Sequence, residues 1–174
     1  MSVKQRFSKF RHEMQAEFSE YVAPLLSNPN VQRLDDFVHH VNYTRLGHSL
    51  DVAYLSFCLA KLSGSDAKSC ARAGLLHDMY FYEDHEGKSL AHMKNHPAEA
   101  LENARTVCTL SAMEEDIILK HMWLVNLAPP RYKESYIVTF VDKACALRER
   151  MFGMTVRRNR LRRRRLAAVL QVML

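Results

Sequence analysis

The stretch ARAGLLHDMYFYED, residues 71–84, decides how this chain is read. It opens on an apolar run in which Ala71, Ala73 and Gly74 allow a helix to pack closely on a neighbour, and it ends in a polar, aromatic loop. His77-Asp78 stands between the two, at the exit of a buried helix, where side chains can converge with others. Working outward, single histidines and a late aspartate recur in similar company. They are His48 in TRLGHSLDVA (44–53), His96 in KNHPAEALENA (94–104), His121 in IILKHMW (117–123) and Asp142 in IVTFVDKA (137–144). Asp142 has Val138, Cys145 and Ala146 at its i−4, i+3 and i+4 positions. A carboxylate on such an apolar face is unfavourable unless paired or bound to metal. His48 shares a helical stripe with Val52, Leu55 and Leu59, which points it inward. A lone histidine is more often a hydrogen-bonded core or surface residue than a ligand. Together, however, His48, His77, Asp78, His96, His121 and Asp142 form a candidate metal site, since transition metals take neutral imidazoles and ionised carboxylates.

The rest of the chain reads as helix. It has five glycines, five prolines and no long apolar-polar alternation. A first helix is expected from Val3 to Ala23, with Phe7, Phe10, Met14, Phe18 and Tyr21 on one face and Pro24 ending it. A short helix follows over 31–39, then one from Thr44 to Leu62. Gly64-Ser65 forms a turn, and Asp66 is the N-cap of a helix ending near Asp78. Pro97 suits the first turn of a helix to Val107, which puts His96 at its mouth. Ser111 and Glu114 make a capping box opening a helix through His121. After a loop fixed by Pro129 and Pro130, a long helix runs from Glu134 to Met151. The expected fold class is all-α, a single bundle of about six to eight helices over 1–153, followed by a basic and apolar helical tail over 154–174.

Bulk properties agree with one domain. The chain has 174 residues, 48% hydrophobic and 25% charged. The formal net charge is +6, but seven arginines fall between Arg157 and Arg165, and the remainder is close to charge balance. The surface as a whole is therefore not built for nucleic acid. Residues 1–14, MSVKQRFSKFRHEM, are charged throughout with no apolar h-region, and no run of 18 apolar residues occurs. A cytoplasmic protein that does not cross a membrane is expected. Cys58, Cys70, Cys108 and Cys145 lack CxxC spacing and read as reduced, mostly buried thiols.

The five quoted strings, in this order and spacing, resemble the HD-domain superfamily of metal-dependent phosphohydrolases, and the resemblance covers roughly Val31 to Arg150. It implies an all-α bundle with the metal at its centre. The family's four-residue core corresponds to His48, His77, Asp78 and Asp142 and holds one metal. Members with two further histidines, here matched by His96 and His121, bind two. The resemblance thus implies a dinuclear centre bridged by Asp78, with His48, His77 and Asp142 on one ion and His96 and His121 on the other. The Gly-Lys that HD-GYP proteins carry after the His-Asp pair is replaced here by Met79-Tyr80, and no GYP segment follows.

Two divalent ions about 3.5–4 Å apart lower the pKa of a bridging water and hold the hydroxide in line with phosphorus. Imidazole and carboxylate ligands suit Fe, Mn, Zn, Co or Ni alike. The expected substrate is a small phosphorylated molecule, most plausibly a nucleotide, cleaved at a phosphate ester or anhydride. Arg45, one turn before His48, and Arg131 are the leading candidates to clamp phosphate oxygens; Lys94, Lys120 and Lys133 are further cations nearby in sequence. His39 and His40 are candidates to reach substrate or the second metal, with a capping or surface role as the alternative. Asp84 is a candidate general acid. Tyr80, Phe81 and Tyr82 suit stacking on a base or, more often for such residues, packing of the loop. The tail, VRRNRLRRRRLAAVLQVML, suits docking on this domain or in a homo-oligomer, or attraction to nucleic acid or an anionic membrane surface. A metal-containing HD bundle that binds or senses a ligand without turnover is the alternative to an enzyme.

Overall fold

The computed structural model describes residues 3–40, 43–82 and 90–152; Asp84 and the whole of 153–174, with the roles considered for them, lie outside this range. Seven α-helices occur among the described residues: α1 (Val3–Leu26), α2 (Pro29–Gln32), α3 (Arg45–Ser63), α4 (Ala67–Leu76), α5 (Leu90–Val107), α6 (Ala112–Lys120) and α7 (Lys133–Phe152). The helical bundle expected from the sequence is thus the observed architecture. Between α2 and α3 lie a 3-10 turn (Arg33–Asp36) and a small antiparallel ribbon, β1 (Val38–His40) with β2 (Tyr43–Thr44). The ribbon corrects the helix expected over 31–39. Among the described side chains of that stretch, only Val31 and Leu34 are buried in the core, too few apolar contacts to carry a two-turn helix.

Caps set most helix starts as the sequence suggests. Thr44 accepts from Gly47 N at the head of α3, and Asp66 accepts from Ser69 N at the head of α4. Ser111 and Glu114 form a complete capping box on α6. Gly64 ends α3 with φ +63°, the left-handed conformation that favours glycine. Two prolines act less strongly than expected. α1 runs through Pro24 to Leu26, because an exposed proline in a last turn removes a single hydrogen bond that water can replace. α5 starts at Leu90 and contains Pro97, so His96 is inside a helix rather than at its mouth.

The core is one cluster in which α3 lies along α4 and α7, α6 bridges α4, α7 and α5, and α1 covers α4. Met14, Phe18, Val22 and Leu25 form the buried stripe of α1, while Phe10 is exposed. Phe18 meets Tyr54 edge-on at 5.1 Å between ring centroids. On α3 the buried stripe is His48, Val52, Ser56 and Ala60; Leu55 and Leu59, expected on the same stripe, are exposed. The tightest joint is that of α3 with α4. A Cβ placed on Gly74 would lie 2.9 Å from Ala53 Cα. Ala71 and Ala73, both fully buried, continue this small-residue surface. No helix among the described residues is long and apolar enough to cross a membrane.

Candidate metal centre

Two of the ligand candidates are built by the same local device. His77 and His121 are the C-cap residues of α4 and α6. Each ring turns back on its own helix, with Nδ1 2.8 Å from Gly74 O and 2.7 Å from Ile118 O respectively. A carbonyl only accepts, so Nδ1 carries the proton in both rings, and Nε2 is left facing the centre. Asp78 follows His77 directly and is carried into the same space. His48 comes from the first turn of α3, Asp142 from the inward face of α7, and His96 from the middle of α5; all six residues are buried.

The six polar ends meet. His48 Nε2 is 3.0 Å from Asp142 Oδ1, and His77 Nε2 is 3.7 Å from both Asp142 Oδ1 and Asp78 Oδ2. The other oxygen of Asp78, Oδ1, is 3.3 Å from His96 Nε2 and 3.5 Å from His121 Nε2. The two oxygens of Asp78 therefore look toward different histidines. His96 and His121 bring their Nε2 atoms to 2.8 Å. Ligand atoms 2.0–2.1 Å from one first-row cation and at right angles to each other lie about 3 Å apart, so this spacing fits a coordination shell. Ligand-type atoms of three overlapping groups lie within 4.8 Å of one another: His48-His77-Asp78, His77-His121-Asp142 and Asp78-His96-His121. His77 Nε2 is buried with no hydrogen-bond partner, an arrangement that a cation would relieve. Six donors of this chemistry at these distances suit a divalent metal.

Without metal the protons are unevenly held. Burial opposes charge on His48, yet its hydrogen bonds to Asp142 and Glu149 outweigh this and raise its pKa to about 10. His121 goes the other way. Burial and the neighbouring His96 and His77 prevail over Asp78 and lower it to about 4. Burial alone would favour the neutral acids, but the surrounding imidazoles hold Asp78 well below the usual carboxylate range. Asp142 is likewise held low against its burial by His48, His77 and Lys143.

The proposed substrate-side residues are placed differently from the metal set. Arg45 is fully buried. Its Nη1 donates to Tyr80 O at 2.6 Å and Nη2 to Tyr82 O at 3.0 Å, and the guanidinium lies 3.6 Å from the Tyr80 ring centroid. It clamps the chain leaving Asp78, which replaces the phosphate-clamping role expected from its spacing to His48. Tyr80 packs beside His96, and Phe81 lies against Phe37 and beneath Arg33, so these rings serve packing of the segment. Arg131 has an exposed side chain, and its backbone N–H donates to Asp116 Oδ2 in the middle of α6. Lys133 reaches away to Gly64 O, and Lys94 is exposed. The backbone of His39 and His40 forms β1, while their side chains lie outside what is described.

Two residues at the centre escaped the sequence reading. Lys143 Nζ lies 2.7 Å from Asp142 Oδ2, 3.2 Å from His121 O and 3.0 Å from Met122 Sδ. Glu149 Oε1 is 3.0 Å from His48 Nδ1. The signal for Glu149 was present: it stands two turns beyond Asp142 on the same apolar face, where an unpaired carboxylate is as unfavourable as at Asp142 itself.

Neither a curated protein nor a solved structure matches the chain significantly. The family model described as HD domain matches residues 45–152, more than half of the chain and all six converging residues. The chain therefore belongs to the HD-domain superfamily, most of whose members are metal-dependent phosphohydrolases.

Proposed function

We propose that this protein is a phosphohydrolase with a dinuclear centre, acting on a phosphate ester or anhydride of a small molecule, most plausibly a nucleotide. The supporting observation is the meeting of four imidazoles and two carboxylates from α3, α5, α7 and the ends of α4 and α6, with His77 Nε2 left unpartnered among them. Asp78, whose two oxygens face different histidines, would serve both ions; His48, His77 and Asp142 would hold one, and His96 and His121 the other. Bound divalent cations of the Mn, Fe, Co, Ni or Zn type supply Lewis acidity for water activation and neutralise charge on the phosphoryl oxygens.

The chain's own residues supply positioning. The backbone carbonyls of Gly74 and Ile118 fix the tautomers of His77 and His121. Arg45 holds the Tyr80–Tyr82 segment that leaves Asp78. Lys143 is the cation best placed for a phosphoryl oxygen, because its side chain is 40% exposed and one donor rests on the Met122 sulfur, a weak acceptor that phosphate displaces. Arg131 and Asp84 complete the proposed set, as a second phosphate contact and a general acid. Domain limits of 1–153, with 154–174 as a tail that docks on this domain or on a second subunit, belong to the same proposal.

The test is a nucleotide panel assayed with the full chain loaded with Mn²⁺ or Fe²⁺. Phosphate or a nucleoside monophosphate is released from at least one member, and His77→Ala and Asp78→Ala each abolish release. Undiminished turnover in either variant would refute the assignment. Tight metal binding with no turnover on any phosphorylated compound would point instead to a ligand-sensing bundle.

A further inference from the structure

We propose that Glu149 is a positioning residue of the metal centre, holding His48 by Nδ1 so that Nε2 is aimed at the cation. This rests on the metal-centre reading above and extends it to a residue outside the ligand set. Glu149 is fully buried on α7, and its Oε1 lies 3.0 Å from His48 Nδ1. Its Oε2 has no hydrogen-bond partner. The nearest guanidinium, that of Arg148, is 4.0 Å away and is bonded to Asp51 Oδ2 at 2.6 Å. The carboxylate thus has one close partner, the ring of His48.

The need for it follows from where His48 sits. His77 and His121 stand at helix C-termini, where the carbonyl three residues back is open to a ring N–H. His48 stands in the first turn of α3, a helix of 19 residues. The carbonyls behind it are taken by the N–H groups of the helix that follows. No backbone acceptor in its own helix can fix the ring, so orientation must come from another element. Glu149, 101 residues later, provides it. A carboxylate on the far nitrogen of a metal-binding histidine fixes the tautomer, orients the ring and raises its basicity as a ligand.

The test is cobalt(II) binding by the full chain, followed by visible absorption and by competition with a chelator. Glu149→Gln keeps the volume and one acceptor oxygen but removes the charge, so it does not depend on a cavity being tolerated. It is expected to weaken cobalt at the His48 position by about 10–100-fold and to shift its absorption bands, while binding at His96-His121 and the helical circular dichroism stay as in the parent. Glu149→Ala weakens it further. Parent-like affinity and spectrum in Glu149→Gln would overturn the proposal. So would equal loss at both positions with loss of helicity, which marks a purely structural residue. A parent protein that binds no cobalt would instead sink the metal-centre reading beneath it.

Discussion

His48 and His121 are both fully buried and both turn Nε2 toward Asp78 and Asp142, yet the protein holds them by opposite means. His48 lies between two carboxylates from α7, at 3.0 Å each, and its pKa is raised to about 10. His121 is fixed by its own helix, has other histidines for neighbours, and is lowered to about 4. One half of the centre is assembled by charge across distant helices; the other is assembled by local capping. The local half offers a neutral imidazole at any ordinary pH. The distant half binds a proton where a metal will go, and that proton compensates two buried carboxylates.

The sharpest way to break this contrast is to remove each ring in the metal-free protein. His48→Gln leaves Glu149 and Asp142 buried without the charge they share, and breaking a buried ion pair from one side costs about 3–5 kcal/mol. His121→Gln loses the hydrogen bonds to Ile118 O and His96 Nε2, about 1 kcal/mol each. Urea unfolding of the two variants after chelation measures the gap, and equal losses would show that the halves do not differ in kind.

The second test reads the proton itself. A metal must displace it from His48, whereas His121 has lost its own above about pH 4. His48 is raised from 6.5, so the metal-free form is protonated throughout the neutral range and competition weakens as pH rises toward 10. Metal affinity should therefore climb about tenfold per pH unit between pH 6 and 8, for one proton exchanged per metal bound. Chelator competition at several pH values checks this. A flat profile would mean that His48 binds metal without giving up a proton.

The same contrast explains what could be read from the chain. The local half is nearly self-evident in sequence: GLLH and ILKH each end an apolar helix on a histidine, and Ser111-Glu114 announces the helix carrying the second. His48, Asp78 and Asp142 were legible as polar residues on apolar faces, and the resemblance supplied their grouping. What stayed hidden depends on distance. Glu149 shows locally only as a carboxylate on an apolar face; that its partner is His48, 101 residues away, does not show. The clamping of Tyr80 and Tyr82 by Arg45 likewise spans 35 and 37 residues, so its spacing to His48 suggested a shared face toward substrate instead. The ribbon between Val38 and Thr44 was missed because too few apolar contacts there support a helix, Pro24 because a proline in an exposed last turn leaves a carbonyl that water can satisfy, and Pro97 because α5 runs through it against its local preference.

The smallest expected effect sharpens the comparison at the joint between a histidine held by charge and one held by its own helix end. α3 brings His48 and α4 ends on His77, and the two helices touch where Gly74 faces Ala53. A methyl group at Gly74 would meet Ala53 Cα at 2.9 Å and Ala53 N at 3.3 Å. These are backbone atoms, so the helices themselves must move apart. Overpacking of this kind destabilises by about 1–3 kcal/mol. The replacement also favours helix by about 1 kcal/mol, so Gly74→Ala is expected to lower stability by no more than about 2 kcal/mol. The separation acts most directly on His48 and His77, which the two helices carry. Cobalt held by His48 should weaken while cobalt held by His96 and His121 does not, with the loss smaller than in His48→Gln. If Gly74→Ala weakened both positions alike, the two positions would share one rigid frame, and the joint of α3 with α4 would not set the His48 position separately.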